Sequence, residues 1–194
     1  MNAPNQLTLA RVVMTFVFVI VLMFDIPYAK TMALFLFAVA SITDLYDGIL
    51  ARRYNIITNF GTLMDPVADK ILICSAFVAF VGLHIIPAWM AIVIIAREFV
   101  ITGLRLLAAS KGQILAAGWG GKNKTVSQVV AASVVLTGLA LRDDWATKLH
   151  LKPQWMGTPF NKVAFGFTLI AVAFTLSSAW SYLRSNRNLY MNDM

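Results

Sequence analysis

Four of the nine acidic residues fall between Asp44 and Asp69, in two pairs at the ends of consecutive apolar segments. Asp44 and Asp47 are three residues apart and Asp65 and Asp69 are four apart, so each pair shares one face of a helix. The polar stretch between the pairs contains glycine and suits a turn between antiparallel helices. Such a turn brings the two pairs face to face, where four carboxylates repel one another unless cations lie between them.

This carboxylate set has the chemistry of a metal site. Ligands that are all oxygen favour Mg²⁺ or Mn²⁺ over Zn²⁺. Two pairs suit two ions about 4 Å apart, an arrangement that stabilises in-line displacement at phosphorus. Helix capping is the alternative, and it explains only Asp65, which precedes Pro66. The sequence therefore predicts a two-metal site on Asp44, Asp47, Asp65 and Asp69.

Small and basic residues follow the first pair. Gly48 and Ala51 could leave room for a nucleotide beside the metals, or could serve close helix packing, which is common in membranes. Arg52 offers a planar fork of donors for a phosphate.

The elements that position these residues are predicted to be membrane-spanning helices. The chain is 59% hydrophobic and 13% charged, whereas soluble domains carry about 25% charged residues. We predict an all-α membrane protein, a single domain over residues 1–194, with six transmembrane helices and no nucleic-acid partner. The spans run approximately over residues 8–24, 29–47, 65–86, 88–109, 125–141 and 161–183.

The loop charges predict the orientation of the bundle. One side receives Arg52, Arg53, Lys111, Lys122, Lys124, Arg184 and Arg187. On the other side Lys30, Arg142, Lys148 and Lys152 are diluted by Asp25, Asp143 and Asp144. The positive-inside rule makes the first side cytoplasmic, with both termini inside. Trp145 and Trp155 predict an interfacial loop from Asp143 to Pro159, and His84 is predicted to be an interfacial or loop residue.

A second polar group interrupts the fourth span. We expect Glu98 mainly to form an intramembrane ion pair that fixes helix packing. Arg105, Lys122 and Lys124 gather at the cytoplasmic end without matching acids in the sequence. They could form a solvated basic loop, or, together with Arg97, a pocket for the phosphate of a soluble acceptor.

Read from Asp44 to Asp69, the chain spells Asp-x2-Asp-Gly-x2-Ala-Arg-x8-Gly-x3-Asp-x3-Asp. This resembles the signature of the CDP-alcohol phosphatidyltransferase family. The resemblance implies that the four aspartates bind two divalent metals, Mg²⁺ or Mn²⁺, and that Asp69 is also the general base. It implies CDP-diacylglycerol contacts and a homodimer of six-helix subunits in the inner cell membrane, with the active site facing the cytoplasm. The implied donor-binding residues are Asn5, Thr8, Gly48, Ala51, Arg52 and Gly61.

Further stretches resemble the bacterial members that make phosphatidylglycerophosphate. They are residues 96–99 (Ala-Arg-Glu-Phe), Leu104-Arg105, and Gly121-Lys122-x-Lys124-Thr125-x-x-Gln128. The resemblance implies transfer of a phosphatidyl group from CDP-diacylglycerol to glycerol 3-phosphate.

Two other functions stay open at this stage. The same chemistry could use inositol phosphate, serine or phosphatidylglycerol as the acceptor. A divalent-cation transporter is the alternative from another class, and it would place carboxylates near the middle of the bilayer beside unwound helices.

Overall fold

The computed structural model describes the backbone of residues 3–24, 26–54, 59–112, 119–146, 148 and 157–187, and the side chains of 9–24, 26–43, 70–112, 121–146, 148 and 157–187. Within these ranges the chain forms six long α-helices and no strand, which confirms the all-α prediction for this part. The helices are α1 (Ala3–Met23), α2 (Ala29–Tyr54), α3 (Asn59–Gly82), α4 (Ala88–Ser110), α5 (Trp119–Leu139) and α6 (Thr158–Ser185). A π-helical segment, Ala140–Trp145, continues α5.

The helices pack around one apolar core. α1 lies along both α2 and α3, α5 lies along α6, and α4 packs against α3 and α6. Every helix contributes buried side chains to the core, among them Phe18, Phe37, Phe77, Ile94, Leu136 and Val172. The site residues on different helices are therefore held by a common packed interior.

The outer surface of the bundle carries many large apolar side chains. Phe35, Phe99 and Trp180 are 68%, 72% and 70% exposed, and they lie on three different helices. Among the described residues, two helices, Gly121–Trp145 and Thr158–Ser185, are by length and composition apolar enough to cross a membrane. A surface of this kind suits contact with lipid, because water would not solvate so much apolar area.

The connection from α3 to α4 contains a tight helix stop. The His84 amide donates to the Val81 carbonyl at 3.0 Å and the Ile85 amide donates to the Phe80 carbonyl at 3.0 Å. His84 has a φ of 56°, so these two bonds form a Schellman ending with His84 in the left-handed position. The third helix thus ends at Gly82, ahead of the predicted Ile86, and His84 is a loop residue as predicted.

The π-helical segment at the C-terminal end of α5 is hydrogen-bonded to the start of α2. The Asp144 carboxylate accepts hydrogen bonds from the amide and the hydroxyl of Thr31, both at 2.6 Å, and the Trp145 indole donates to the Thr31 hydroxyl at 3.0 Å. The sequence predicts an interfacial loop from Asp143, but Asp143, Asp144 and Trp145 are helical. The predicted start of the loop is wrong because Asp144 extends the helical segment to cap the first turn of α2, where amide donors lack intrahelical partners. Trp155 lies outside the described residues.

Candidate active site

The four aspartates lie on two consecutive helices, near their connection. Asp44 and Asp47 belong to the C-terminal part of α2, and Asp65 and Asp69 to the N-terminal half of α3, with residues 55–58 between the helices. Both backbones are helical through these positions, as the sequence predicts for Asp44 and Asp47, and neither helix is unwound there.

The side chains of residues 44–69 lie outside the described part of the chain. This applies to all four aspartates, to Gly48, Ala51 and Arg52 on α2, and to Gly61 on α3. It also applies to Asn5 and Thr8 on α1. The structure assigns these residues to helices, and their roles stay predictions. Among the side chains that are described, no group of three or more His, Cys, Asp or Glu residues could hold a metal.

Glu98 is the centre of a buried ionic group between helices. Glu98 lies on α4 and is only 5% exposed, and its Oε1 is 3.4 Å from Nη1 of the neighbouring Arg97. The same oxygen forms an ion pair with Nζ of Lys124 on α5, which is also 5% exposed. The prediction that Glu98 forms an ion pair inside the bundle is confirmed. It joins α4 to α5, so it can hold the two helices in register.

Lys124 was expected to lack a matching acid, and this expectation is wrong. The fifth helix begins at Trp119, ahead of the predicted Thr125, so Lys124 lies within the helix instead of before it. Gly120 and Gly121 point to a loop because glycine costs about 1 kcal/mol in a helix relative to alanine. The buried contact with Glu98 is a tertiary interaction that offsets this local cost. Lys122, by contrast, is exposed.

Helix α6 supplies polar partners that the sequence reasoning missed. Nη2 of Arg97 donates to the Ser178 hydroxyl at 2.9 Å, and the Gln128 amide on α5 donates to the Thr175 hydroxyl at 3.0 Å. The Arg105 guanidinium lies 5.7 Å from the ring centroid of Tyr182. Thr168, Thr175, Ser178 and Tyr182 recur at helical spacing in an apolar helix, and that periodicity is the signal that could have identified this face.

The ionic group of Glu98, Arg97 and Lys124 lies beside α3, the helix that carries Asp65 and Asp69. Lys70 follows Asp69 on α3 and is close enough to Lys124 for the two charges to interact. Cys74 lies one helical turn further along α3, near Glu98 and Lys124. One side of α3 therefore faces the ionic group within a turn of Asp69. The arrangement can hold an anion next to the carboxylate helices.

Comparison with known proteins agrees with this architecture. Residues 1–177 match the CDP-alcohol phosphatidyltransferase family. A Bacillus subtilis protein named CDP-diacylglycerol–glycerol-3-phosphate 3-phosphatidyltransferase is 40% identical over 201 residues, covering 95% of each chain. A protein of the same name from Shigella flexneri is 37% identical and covers 92% of this chain and 94% of its own. A probable phosphatidylglycerophosphate synthase from Mycobacterium tuberculosis is 42% identical over 72% of this chain and 68% of its own.

Two of the described helices are long and apolar enough to span a bilayer. With the buried ion pair of Glu98 and Lys124, they suit a helical membrane protein that carries a polar site inside the bundle. The chain belongs to the CDP-alcohol phosphatidyltransferase family, a family of transferases.

Proposed function

We propose that this chain transfers a phosphatidyl group from CDP-diacylglycerol to glycerol 3-phosphate, which yields phosphatidylglycerophosphate and CMP. Relatives that match nearly the whole chain are named for this reaction. The structural observation that carries the proposal is the buried cationic group of Arg97 and Lys124 beside α3. A phosphorylated acceptor needs such charge, because its dianion would otherwise be repelled by the aspartates.

The aspartates suit hard divalent cations by their chemistry. Four carboxylates on the facing ends of α2 and α3 supply only oxygen ligands, which fit Mg²⁺ or Mn²⁺. We infer that Asp44, Asp47, Asp65 and Asp69 hold two such ions. When bound, the ions would neutralise the donor pyrophosphate and stabilise charge in the displacement at phosphorus.

The chain's own residues would then manage the acceptor and its proton. Asp69 accepts the proton of the acceptor's primary hydroxyl as its oxygen attacks the phosphorus that carries the diacylglycerol. The bond from that phosphorus to the CMP oxygen breaks, and CMP leaves with the electron pair. Asn5, Thr8, Gly48, Ala51, Arg52 and Gly61 would contact the donor.

Glu98 would position the cations that bind the acceptor phosphate. It draws Arg97 and Lys124 to one carboxylate oxygen, and Ser178 holds the far nitrogen of Arg97. Two cations on one carboxylate leave the trio with a net positive charge, which suits an incoming phosphate. Arg105 and the exposed Lys122 would add positive charge along the acceptor's path from solvent.

We further propose six membrane crossings with both termini and the active site on the cytoplasmic side of the inner cell membrane, and a homodimer as the assembly. Met23 lies close to Gly82, and Asp144 contacts Thr31. These contacts support placing the three connections with few lysines and arginines, α1–α2, α3–α4 and α5–α6, at the same end of the bundle. The lysines and arginines of the other connections then fall at the opposite end.

Measurement of CMP release with different acceptors tests the proposed function. Purified protein in mixed micelles of detergent and CDP-diacylglycerol, supplied with Mg²⁺ or Mn²⁺, is assayed with glycerol 3-phosphate, inositol phosphate, serine and phosphatidylglycerol. Of the four acceptors, we expect only glycerol 3-phosphate to give rapid CMP release. Preference for any other acceptor would reassign the substrate, and absence of release with all four would reject the transferase activity.

A further inference from the structure

Two polar atoms in the cationic group are buried without a partner. The Nε of Arg97 and the hydroxyl of Tyr182 have no hydrogen-bond partner within the described part of the chain. The Arg97 side chain is 9% exposed, so water has little access to it. Buried polar groups are almost always paired, and a buried donor without a partner destabilises the protein. Two such donors near each other indicate that a ligand completes the group.

The surroundings of these donors indicate what the ligand is. The Tyr182 ring lies beneath the Arg105 guanidinium, whose central carbon is 5.7 Å from the ring centroid. Ser178, one helical turn before Tyr182, already binds Arg97. Tyr182 thus lies between two arginines, both of which only donate hydrogen bonds. A ligand that accepts hydrogen bonds and carries negative charge would pair all three.

We propose that the Tyr182 hydroxyl donates a hydrogen bond to the phosphate of the acceptor and, with Nε of Arg97, forms the α6 side of the acceptor site. The assignment rests on the proposed function, because glycerol 3-phosphate supplies the phosphate. A phosphate monoester offers several acceptor oxygens, enough for Arg97, Arg105 and Tyr182 together. The Tyr182 ring also keeps Arg105 in place from below, so one residue contacts the ligand and positions a second contact.

The proposal predicts that Tyr182→Phe weakens the affinity for glycerol 3-phosphate without lowering the stability of the protein. A role in packing alone would not combine these two effects. Tyr182→Phe keeps the ring under Arg105 and removes only the hydroxyl. In the ligand-free protein it deletes a buried orphan, so the unfolding temperature is unchanged or higher. A hydrogen bond to a charged group is worth about 1.5–3 kcal/mol, so the KM for glycerol 3-phosphate rises roughly tenfold or more. The KM for CDP-diacylglycerol stays within about twofold.

The experiment compares Tyr182→Phe with Tyr28→Phe. The Tyr28 hydroxyl accepts a hydrogen bond from Lys148 and lies at the end of the bundle where Asp144 meets Thr31. The full-length variants are purified and assayed for both KM values, for kcat and for thermal unfolding. Inhibition by inorganic phosphate against glycerol 3-phosphate is an independent probe of the same contact. We expect Tyr182→Phe alone to raise the KM for glycerol 3-phosphate and the inhibition constant of phosphate.

An unchanged KM for glycerol 3-phosphate in Tyr182→Phe would overturn the assignment. So would an equal rise for both substrates, because the phosphate contacted would then not be specific to the acceptor. The wild-type protein separates this result from failure of the proposed function. If wild type does not use glycerol 3-phosphate at all, the proposed function fails, whereas activity of wild type with an unaltered Tyr182→Phe removes only the role of Tyr182.

Discussion

Residues of the same type have different roles in this chain according to what surrounds them. Lys122 and Lys124 are two positions apart, yet Lys122 is exposed and Lys124 is buried against Glu98. Truncation of Lys124 would leave Glu98 with fewer buried partners, and breaking a buried pair costs about 3–5 kcal/mol. A variant at Lys124 therefore mixes folding with binding, and Arg105 is the better residue on which to test acceptor affinity.

Asp69→Asn should abolish turnover while the protein still folds and inserts. The amide cannot accept the hydroxyl proton and is a weaker metal ligand, and general base catalysis alone contributes about 10²–10⁴-fold. CMP release by the purified variant provides the measurement, with Asp143→Asn as the control because Asp143 pairs with Arg142 outside the site. Retention of more than about a tenth of the wild-type rate by Asp69→Asn would exclude the role of base.

Arg105→Ala should raise the KM for glycerol 3-phosphate by about ten- to a hundredfold, since a charge-assisted contact is lost. Arg142→Ala is a closely matched control. Arg142 lies 5.4 Å from the ring centroid of Phe160, much as Arg105 lies over Tyr182, but at the opposite end of the bundle. Both variants lose a cation–π contact, so steady-state kinetics should separate the phosphate contact from stability. Equal KM values in the two variants would limit Arg105 to packing or topology.

At the scale of helices, long apolar runs were sufficient to predict all six elements, but not their ends. The start of α5 is decided by the contact of Lys124 with Glu98 on another helix, which local propensity does not contain. The sequence of the π-helical segment is typical of a polar loop. Its structure depends on the hydrogen bond from Thr31 to Asp144, which are far apart in the chain. The Ser178 and Tyr182 contacts depend in the same way on how α6 packs against α4. Sequence reasoning identified the cations but not these partners.

Gly138→Ala should weaken the packing of α5 on α6. A Cβ at Gly138 would lie 2.1 Å from Cε2 of Phe160, and overpacking costs about 1–3 kcal/mol. The control is Gly103→Ala on α4, where no atom lies within 4 Å and alanine should stabilise the helix by up to about 1 kcal/mol.

Thermal unfolding in detergent measures both glycine variants. A second change, Phe160→Leu, should restore part of the stability lost in Gly138→Ala, because it removes the ring that the new Cβ meets. An unfolding temperature of Gly138→Ala at or above that of wild type would show that Phe160 can move aside without cost.

At the scale of the whole molecule, the bundle separates two ends with different chemistry. At one end Asp144, Thr31 and Trp145 bind helices together. Toward the other lie the aspartates and the group around Glu98. Composition and loop charge predicted this division, because lipid excludes charge from the exposed helix faces and leaves it for the ends and the interior. The proposed metal site rests on the placement of the four aspartates on the adjoining ends of α2 and α3.

Incorporation of labelled glycerol 3-phosphate into lipid tests the central claim most directly, with and without divalent metal. Purified protein is stripped with EDTA, and lipid-soluble label and CMP are followed after Mg²⁺ or Mn²⁺ is restored. The account predicts no product in EDTA, and equimolar phosphatidylglycerophosphate and CMP once metal returns, because the donor pyrophosphate and four carboxylates need cations between them. Full activity in EDTA, or CMP released without labelled lipid, would contradict metal-dependent transfer to glycerol 3-phosphate.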